Sequence, residues 1–384
     1  MLRGKRYIHE LADWPRFVWD SEALAEPVAE VRYAQGRHLG RLHGLGLDLL
    51  SASSLAVAVE DALKSSAIEG ERLVGDEVRS SVARRLGIEV AGLPEPSRQA
   101  DGVVEMLLDA TRRHDVPLTA ERLFEWHSAL FPMGHGGMRA VTVGGWRTDA
   151  TGAMQVVSGP IGRERVHFQA PAAGRLEDEM SRFLGWFETA SMDPVLKAGV
   201  AHLWFVTIHP FDDGNGRIGR AIADLALARG DAARDRSFSL SSAIEAARNS
   251  YYDELERAQR GDLDITRWLR WFIERIGAAI EGAESLLDGI LHKAWIWNRL
   301  AERPVHERQR LVMNRLLDGF EGHLTSSKYA KLAKCSTDTA LRDIRDLVAW
   351  GVLIRNDAGG RSTSYRAARQ HDDGSARGIT NPSG

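Results

Sequence analysis

The stretch from Asp193 to Phe211, DPVLKAGVAHLWFVTIHPF, is apolar on nearly every face of a helix, so it belongs in a core rather than on a surface. Asp193 followed by Pro194 reads as an N-cap and first-turn pair that opens this helix, which delivers His209 at its far end. A second helix starts near Gly214 and runs RIGRAIADLALAR to a stop at Gly230. It shows Ile218, Ile222 and Leu225 on one side and Arg217, Arg220 and Asp224 on another.

Around this pair the chain reads as mainly α-helical. Apolar residues recur at helical spacing from Leu24 to Gly70, and SLAVAVEDALKSSAIEG places Leu55, Val59, Ala62 and Leu63 on one face, with Gly70 as the stop. Helices continue to about Phe131, interrupted by LPEPS near Leu93. Between Arg139 and Pro171 the runs MRAVTVGGW, AMQVVSG and RVHFQAP are β-branched and short, and the loop PIGRE makes them a β-hairpin. Beyond Pro304 the segment LTSSKYAKLAKCSTDTALRDIRDLVAWGVLIRNDAGGRSTSYRA reads as helix, turn, helix and a two-stranded wing, the layout of a winged helix-turn-helix. From Val305 to Arg366 there are 11 Lys and Arg against 7 Asp and Glu, a local surplus of +4. The polar, Gly-rich tail from residue 368 is expected to stay unpacked.

Length and composition narrow the classes. At roughly 150 residues per domain, 384 residues suggest two or three domains, and 43% hydrophobic with 27% charged residues excludes disorder throughout. With 50 Lys and Arg against 53 Asp and Glu, a net charge of −3, no global basic field gathers nucleic acid. A single cysteine, Cys335, excludes an internal disulfide framework and a Cys-rich metal site, and the cytoplasm fits best. No apolar run approaches the ~18 residues needed to span a bilayer, so no membrane role is expected.

Residues 209 to 220, HPFDDGNGRIGR, combine parts that phosphate chemistry needs. Gly214, Asn215 and Gly216 form a glycine-bearing turn into a helix, where free N–H groups and the helix dipole cradle an anion. Arg217 and Arg220 add two cations on one face, and Asp213 is placed to hold a hard divalent cation such as Mg²⁺. His209, ending a buried helix, is placed as a proton acceptor, with the dipole supporting some positive charge. Each has a plainer alternative: Asp213 as a helix cap, Arg220 paired with Asp224 on a solvated face, His209 as a core histidine.

As a whole, the string resembles the Fic signature, His-x-Phe-x-Asp/Glu-Gly-Asn-Gly-Arg-x-x-Arg, at every fixed position. The resemblance implies a protein adenylyltransferase that moves AMP from ATP to a Ser, Thr or Tyr hydroxyl of a target protein. His209 would be the general base and Asp213 the holder of Mg²⁺. Gly214, Asn215 and Gly216 would form the anion hole, Arg217 and Arg220 would grip the outer phosphates, and Phe211 would anchor the core. The hairpin from Met154 to Pro171 would be the family's flap, with Val156, Val157 and Ser158 over the nucleotide; Tyr252 and Gln259 would approach the adenosine.

SSAIEG, with Ser65, Glu69 and Gly70, matches the family's inhibitory motif Ser/Thr-x-x-x-Glu-Gly/Asn. The resemblance implies that Glu69 pairs with Arg220 where the γ-phosphate belongs, in the N-terminally self-inhibited class. The implied organisation is an N-terminal helical module over residues 1–100, a Fic core over 101–276, a connecting helix over 277–304, the winged helix over 305–367 and the tail. A homodimer is compatible with the resemblance. Two further readings stay open: AMP removal or transfer of another nucleotide at the same site, and a DNA-binding regulator with a nucleotide-sensing Fic domain. For the latter, Lys328, Lys331, Lys334, Arg342 and Arg345 would meet phosphates, against Asp338, Asp343 and Asp346 on the same helix, which suits protein docking equally.

Overall fold

The computed structural model describes residues 7–136, 139–150, 152–159, 163, 165–231, 236–320, 322–356 and 363–374. Contacts divide the chain into two compact units, Met1–Glu284 and Ser285–Gly384.

The first unit is helical. A 3-10 turn at Ile8–Glu10 is followed by α1 (Ser21–His43), α2 (Leu47–Ile68), α3 (Gly75–Leu86), α4 (Arg98–Arg112) and α5 (Ala120–Leu130). Two short antiparallel pairs come next, β1 (His135–Gly136) with β2 (Arg139–Ala140) and β3 (Gln155–Ser158) with β4 (Arg165–Gln169). Then come α6 (Leu176–Thr189), α7 (Pro194–Ile208), α8 (Asn215–Asp231), α9 (Leu240–Ala246), α10 (Arg248–Arg260) and α11 (Thr266–Leu300), the last crossing the boundary between the units.

Helix α7 is the one read as apolar all round, and from Ala198 to Ile208 every one of its residues is buried. Its start is set as expected, with the Asp193 carboxylate accepting from Val195 N at 2.8 Å and Pro194 in the first turn. It packs along α8 at close range, because Gly219 presents no side chain: a Cβ there would lie 2.9 Å from Val206 Cγ1. Helices α4, α5 and α2 also pack against α8.

The sequence separates an N-terminal module from the core at residue 100, but packing does not break there. Leu55, Ala62, Val78, Val82, Val103 and Leu107 share one continuous core with α7 and α8. Amphipathic helices of this kind have no second layer of their own to cover their apolar stripes, so they use α7 and α8. The opening segment is tied in as well: Trp14 Nε1 donates to the buried Glu179 at 2.9 Å, and Val18 bridges to Asp264.

The strand expectation is corrected in one place. Among the described residues of MRAVTVGGW only Arg139 and Ala140 are in a strand, paired with His135–Gly136 and separate from the β3–β4 hairpin, since Gly144 at φ +74° turns the chain away. The hairpin itself forms between β3 and β4, with a register shift between Val156 and Val157. The loop PIGRE falls on residues of which only Arg163 is described.

The second unit contains α12 (Glu307–Leu317), β5 (Leu324–Thr325), α13 (Ser326–Leu332), α14 (Thr337–Ala349), β6 (Leu353–Arg355) and β7 (Ser364–Ala367), with sheet order β5-β7-β6. Helix, turn, helix and an antiparallel pair follow one another in the order of a winged helix-turn-helix. Its core includes Met313, Tyr329, Ile344, Leu347 and Leu353. The connecting helix begins at Thr266, not 277, and ends at Leu300. The tail is ordered at its start: Gln370–Gly374 form a 3-10 turn, and the Asp372 carboxylate accepts from both Arg366 Nη1 and Nη2 at 2.7 and 2.9 Å. A bidentate pair and the backbone N–H of Arg369 hold what composition alone left free. Residues 357–362 and 375–384, covering the wing tip and the rest of the tail, lie outside the described residues.

Candidate functional site

The site is the turn between α7 and α8. His209 caps α7 in the left-handed region (φ 53°, ψ 59°), a conformation that costs a β-carbon-bearing residue on the order of 1 kcal/mol. That strain is held from outside the turn: Arg147, buried, donates Nε to His209 O at 2.7 Å and Nη2 to Pro171 O at 2.6 Å. Arg147 thus ties the histidine to the foot of the hairpin. Nothing in the local pattern marked it, because a lone arginine in a loop reads as solvated.

His209 Nδ1 lies 3.1 Å from Val206 O. A carbonyl only accepts, so the proton belongs on Nδ1 and Nε2 keeps its lone pair. Burial pushes the imidazole pKa below its usual value, with the Val206 carbonyl opposing and the Arg147 charge assisting. The dipole-supported positive charge expected from sequence is therefore outweighed by burial. Neutral His209 is a proton acceptor at neutral pH.

Phe211 is fully buried, with His127 stacked on it at 4.2 Å between ring centroids. Gly214 takes φ +81°, and a Cβ would meet Phe131 at 2.9 Å, so glycine is required twice over. Asn215 differs from its expected role. Its Oδ1 accepts from Phe211 N at 3.0 Å and its Nδ2 donates to Phe211 O at 2.8 Å, so its amide stitches the turn. Asp213 accepts from Gly214 N through Oδ1 and is about half exposed. An accessible carboxylate with Arg217 nearby fits Mg²⁺ held by one protein ligand and phosphate oxygens, where the ion would neutralise phosphate charge.

Arg220 is fully buried. Its Nη1 donates to Glu69 Oε1 at 2.9 Å, its Nε to Ser65 Oγ at 3.0 Å and its Nη2 to Ser65 O at 2.8 Å. Burial opposes its charge, but the Glu69 carboxylate and the Tyr251 and Tyr252 hydroxyls together outweigh that and raise its pKa. The alternative pairing with Asp224 does not form, since Asp224 sits 2.9 Å from Arg236 instead. Gly70 follows at φ +83°, reversing the chain after Glu69. Arg217 is also buried, and Glu71 meets it at 2.7 Å, a partner outside the motif.

The hairpin residues separate. Val156 packs on the Tyr7, Phe168 and Ala170 cluster, so it serves the N-terminal segment rather than an open ligand face. Val157 is exposed. Ser158 Oγ lies 2.6 Å from His167 Nε2, and His167 Nδ1 lies 2.6 Å from Glu256 Oε2 on α10. Arg260 donates to the carbonyls of Val166 and His167, so α10 clamps the hairpin. Tyr252 is partly exposed and donates to Ile68 O at 3.1 Å, touching the end of α2 just before Glu69. Gln259 is buried against Val206 O and Thr207 Oγ1, both at 3.4 Å, and braces the end of α7 instead of facing a ligand.

Residues 117–227, which hold this turn, match the model of the Fic/DOC family. The chain carries a Fic/DOC family domain. Residues 7–88 match a domain of unknown function, DUF4172. Among curated relatives, the chain is similar to a protein adenylyltransferase Fic of Culex quinquefasciatus, 38% identical over 96 residues, 24% of this chain and 18% of that one. A uridine 5'-monophosphate transferase of Xanthomonas campestris is 30% identical over 121 residues, 29% and 21% of the two chains. A protein adenylyltransferase Fic of Drosophila ananassae is 26% identical over 282 residues, 68% of this chain and 51% of that one. The chain thus spans about half or less of these relatives. The fold is shared with a crystal structure of a Fic family protein from Desulfovibrio desulfuricans G20, at 21% identity and TM-score 0.53 over 91% of this chain and 97% of that one.

In the second unit Lys331, Lys334, Arg342 and Arg345 are exposed, while Lys328 lies over the Phe320 ring at 5.2 Å. Asp343 is buried and accepts from Tyr329 OH, so it is a core anchor and not a surface charge opposing a partner. Asp338 and Asp346 remain exposed beside the two arginines. Among the described residues no helix is long and apolar enough to cross a membrane.

Proposed function

We propose that the Fic domain transfers AMP from ATP to a hydroxyl of a target protein and that Glu69 holds it in check. The observation that carries this reading is the Glu69–Arg220 pair at the N-terminus of α8, in the cradle a phosphate would use. The target hydroxyl oxygen attacks the α-phosphorus, the bond to the β-phosphate oxygen breaks, pyrophosphate leaves, and the hydroxyl proton passes to His209 Nε2. Asp213 would hold Mg²⁺, and Arg217 and Arg220 would bind the outer phosphates once Glu69 moves. With Glu69 in place, ATP binds with its α-phosphate turned from in-line attack, so misplacement stops transfer.

One second reading has support, from the uridylyl-transferring relative: the same chemistry with UMP. The exposed face of α14 carries Asp338 and Asp346 beside Arg342 and Arg345, and duplex binding is not part of this proposal.

The test uses wild type, Glu69→Gly and Glu69→Gly/His209→Ala with Mg²⁺ and ATP or UTP labelled at the α-phosphate, alone and with lysate. Label on protein from ATP with Glu69→Gly only is the expected result. Label from UTP alone selects the second reading. Equal label in both variants removes His209 as the base, and no label in any lane removes nucleotidyl transfer.

A further inference from the structure

Both signature arginines, not one, are closed by carboxylates of a single turn. After α2, Glu69 N and Glu71 N both donate to Ser66 O, at 3.1 and 3.0 Å, with Gly70 between them. The two glutamates are therefore parts of one small rigid piece. Glu69 takes Arg220, and Glu71 Oε2 takes Arg217 Nη1 at 2.7 Å, while Gln99 Nε2 donates to the same Glu71 oxygen at 3.2 Å.

Arg217 is otherwise poorly supplied. It is 1% exposed, its guanidinium lies over the Phe131 ring at 5.1 Å, and its Nε and Nη2 have no hydrogen-bond partner among the described residues. The Asp213 carboxylate stands off at 3.8 Å. A buried guanidinium with two idle N–H groups is costly unless another acceptor fills them, and a phosphate offers more oxygens than one carboxylate oxygen does.

We propose that Glu71 is a second placeholder for a nucleotide phosphate, acting on Arg217 as Glu69 acts on Arg220, so that the outer phosphates reach both arginines only when both carboxylates give way. The inference rests on the nucleotide site proposed above. It makes Glu71 a determinant of preference for nucleoside triphosphate over monophosphate, because only the former has outer phosphates to replace both carboxylates.

The experiment compares Glu69→Gly with Glu69→Gly/Glu71→Gln, by calorimetry with α,β-methylene-ATP and with AMP. The Glu69→Gly background matters: a Glu71 change that merely loosened the turn would act through Glu69, and that route is gone. The expected result is about tenfold tighter binding of the triphosphate analogue in the double variant with AMP unchanged. Unchanged or weaker binding of the analogue, or an equal gain for AMP, overturns the inference. If Glu71→Gln does not fold, Glu71→Asp, which keeps the charge but shortens its reach, is read the same way and should give a smaller gain. Tighter binding without label transfer in the earlier assay keeps Glu71 and removes AMP transfer; transfer by Glu69→Gly with no effect of Glu71→Gln removes Glu71 alone.

Discussion

The Glu69 carboxylate stands where a side chain on Gly216 would have to be: a Cβ on Gly216 would lie 2.1 Å from Glu69 Oε1 and 3.2 Å from Arg220 Nη1. The first turn of α8 is thus filled by a group from another helix, and glycine at 216 is what admits it. The same space, and the same N-terminal amides, suit a phosphate.

That relationship separates two glycine substitutions. In Gly216→Ala the obstacle is the far end of a flexible side chain, so Glu69 swings away and the loss in unfolding free energy should stay below about 2 kcal/mol. Gly102 in α4 meets the Ala129 carbonyl, 1.8 Å from a Cβ, and backbone cannot yield so easily. Gly102→Ala should therefore cost about 3 kcal/mol or more. Urea denaturation of the two variants decides it, and a similar cost for both would mean that Glu69 is not free to move.

Activity should fall on the acid side below pH 6.5, not at it. His209 acts in its neutral form, and its pKa in the folded chain lies below the usual value because burial disfavours the charged ring. Lowering the pH through that folded pKa protonates Nε2 and removes the acceptor. A kcat/KM profile for Glu69→Gly with its acid limb above pH 6.5 would contradict this assignment.

His202, fully buried with Nε2 2.9 Å from Tyr251 OH, has its pKa pushed down to about 4 by burial. The unfolded chain takes up this proton near pH 6.5 and the folded one only near 4, so stability falls as pH drops through that window and is flat above it. The gap corresponds to about 3 kcal/mol at most. His202→Gln should flatten the slope of unfolding free energy between pH 6.5 and 4; an unaltered slope would place the titration elsewhere, His127 with its pKa also near 4 being the next group to replace.

Asp343 accepts from Tyr329 OH at 3.1 Å and Arg308 Nε at 3.3 Å inside the second unit. Asp343→Ala leaves a buried hydroxyl unpaired and should cost about 2 kcal/mol. Hydrogen exchange should show α13 and α14 opening more often while α7 and α8 keep their protection. Loss of protection in α7 would mean that the two units unfold together.

The sequence by itself determined the elements whose code is local. The Asp193–Pro194 start, the all-apolar run of α7, the glycine turn at 214 and the signature residues to Arg220 each act within a few positions, through capping, burial on every face or positive φ. The Glu69–Arg220 pair was legible only through likeness to a family motif, since 151 positions separate the two residues. Tertiary structure decided the rest. Arg147 holding His209 O, Glu71 closing Arg217, Asn215 turned to its own loop, Gln259 bracing α7 and Asp343 drawn into a core all depend on which buried donor lies nearest which acceptor. The physical reason is that a buried polar group must find a partner, and packing of distant helices, not neighbouring residues, sets which partner is within reach.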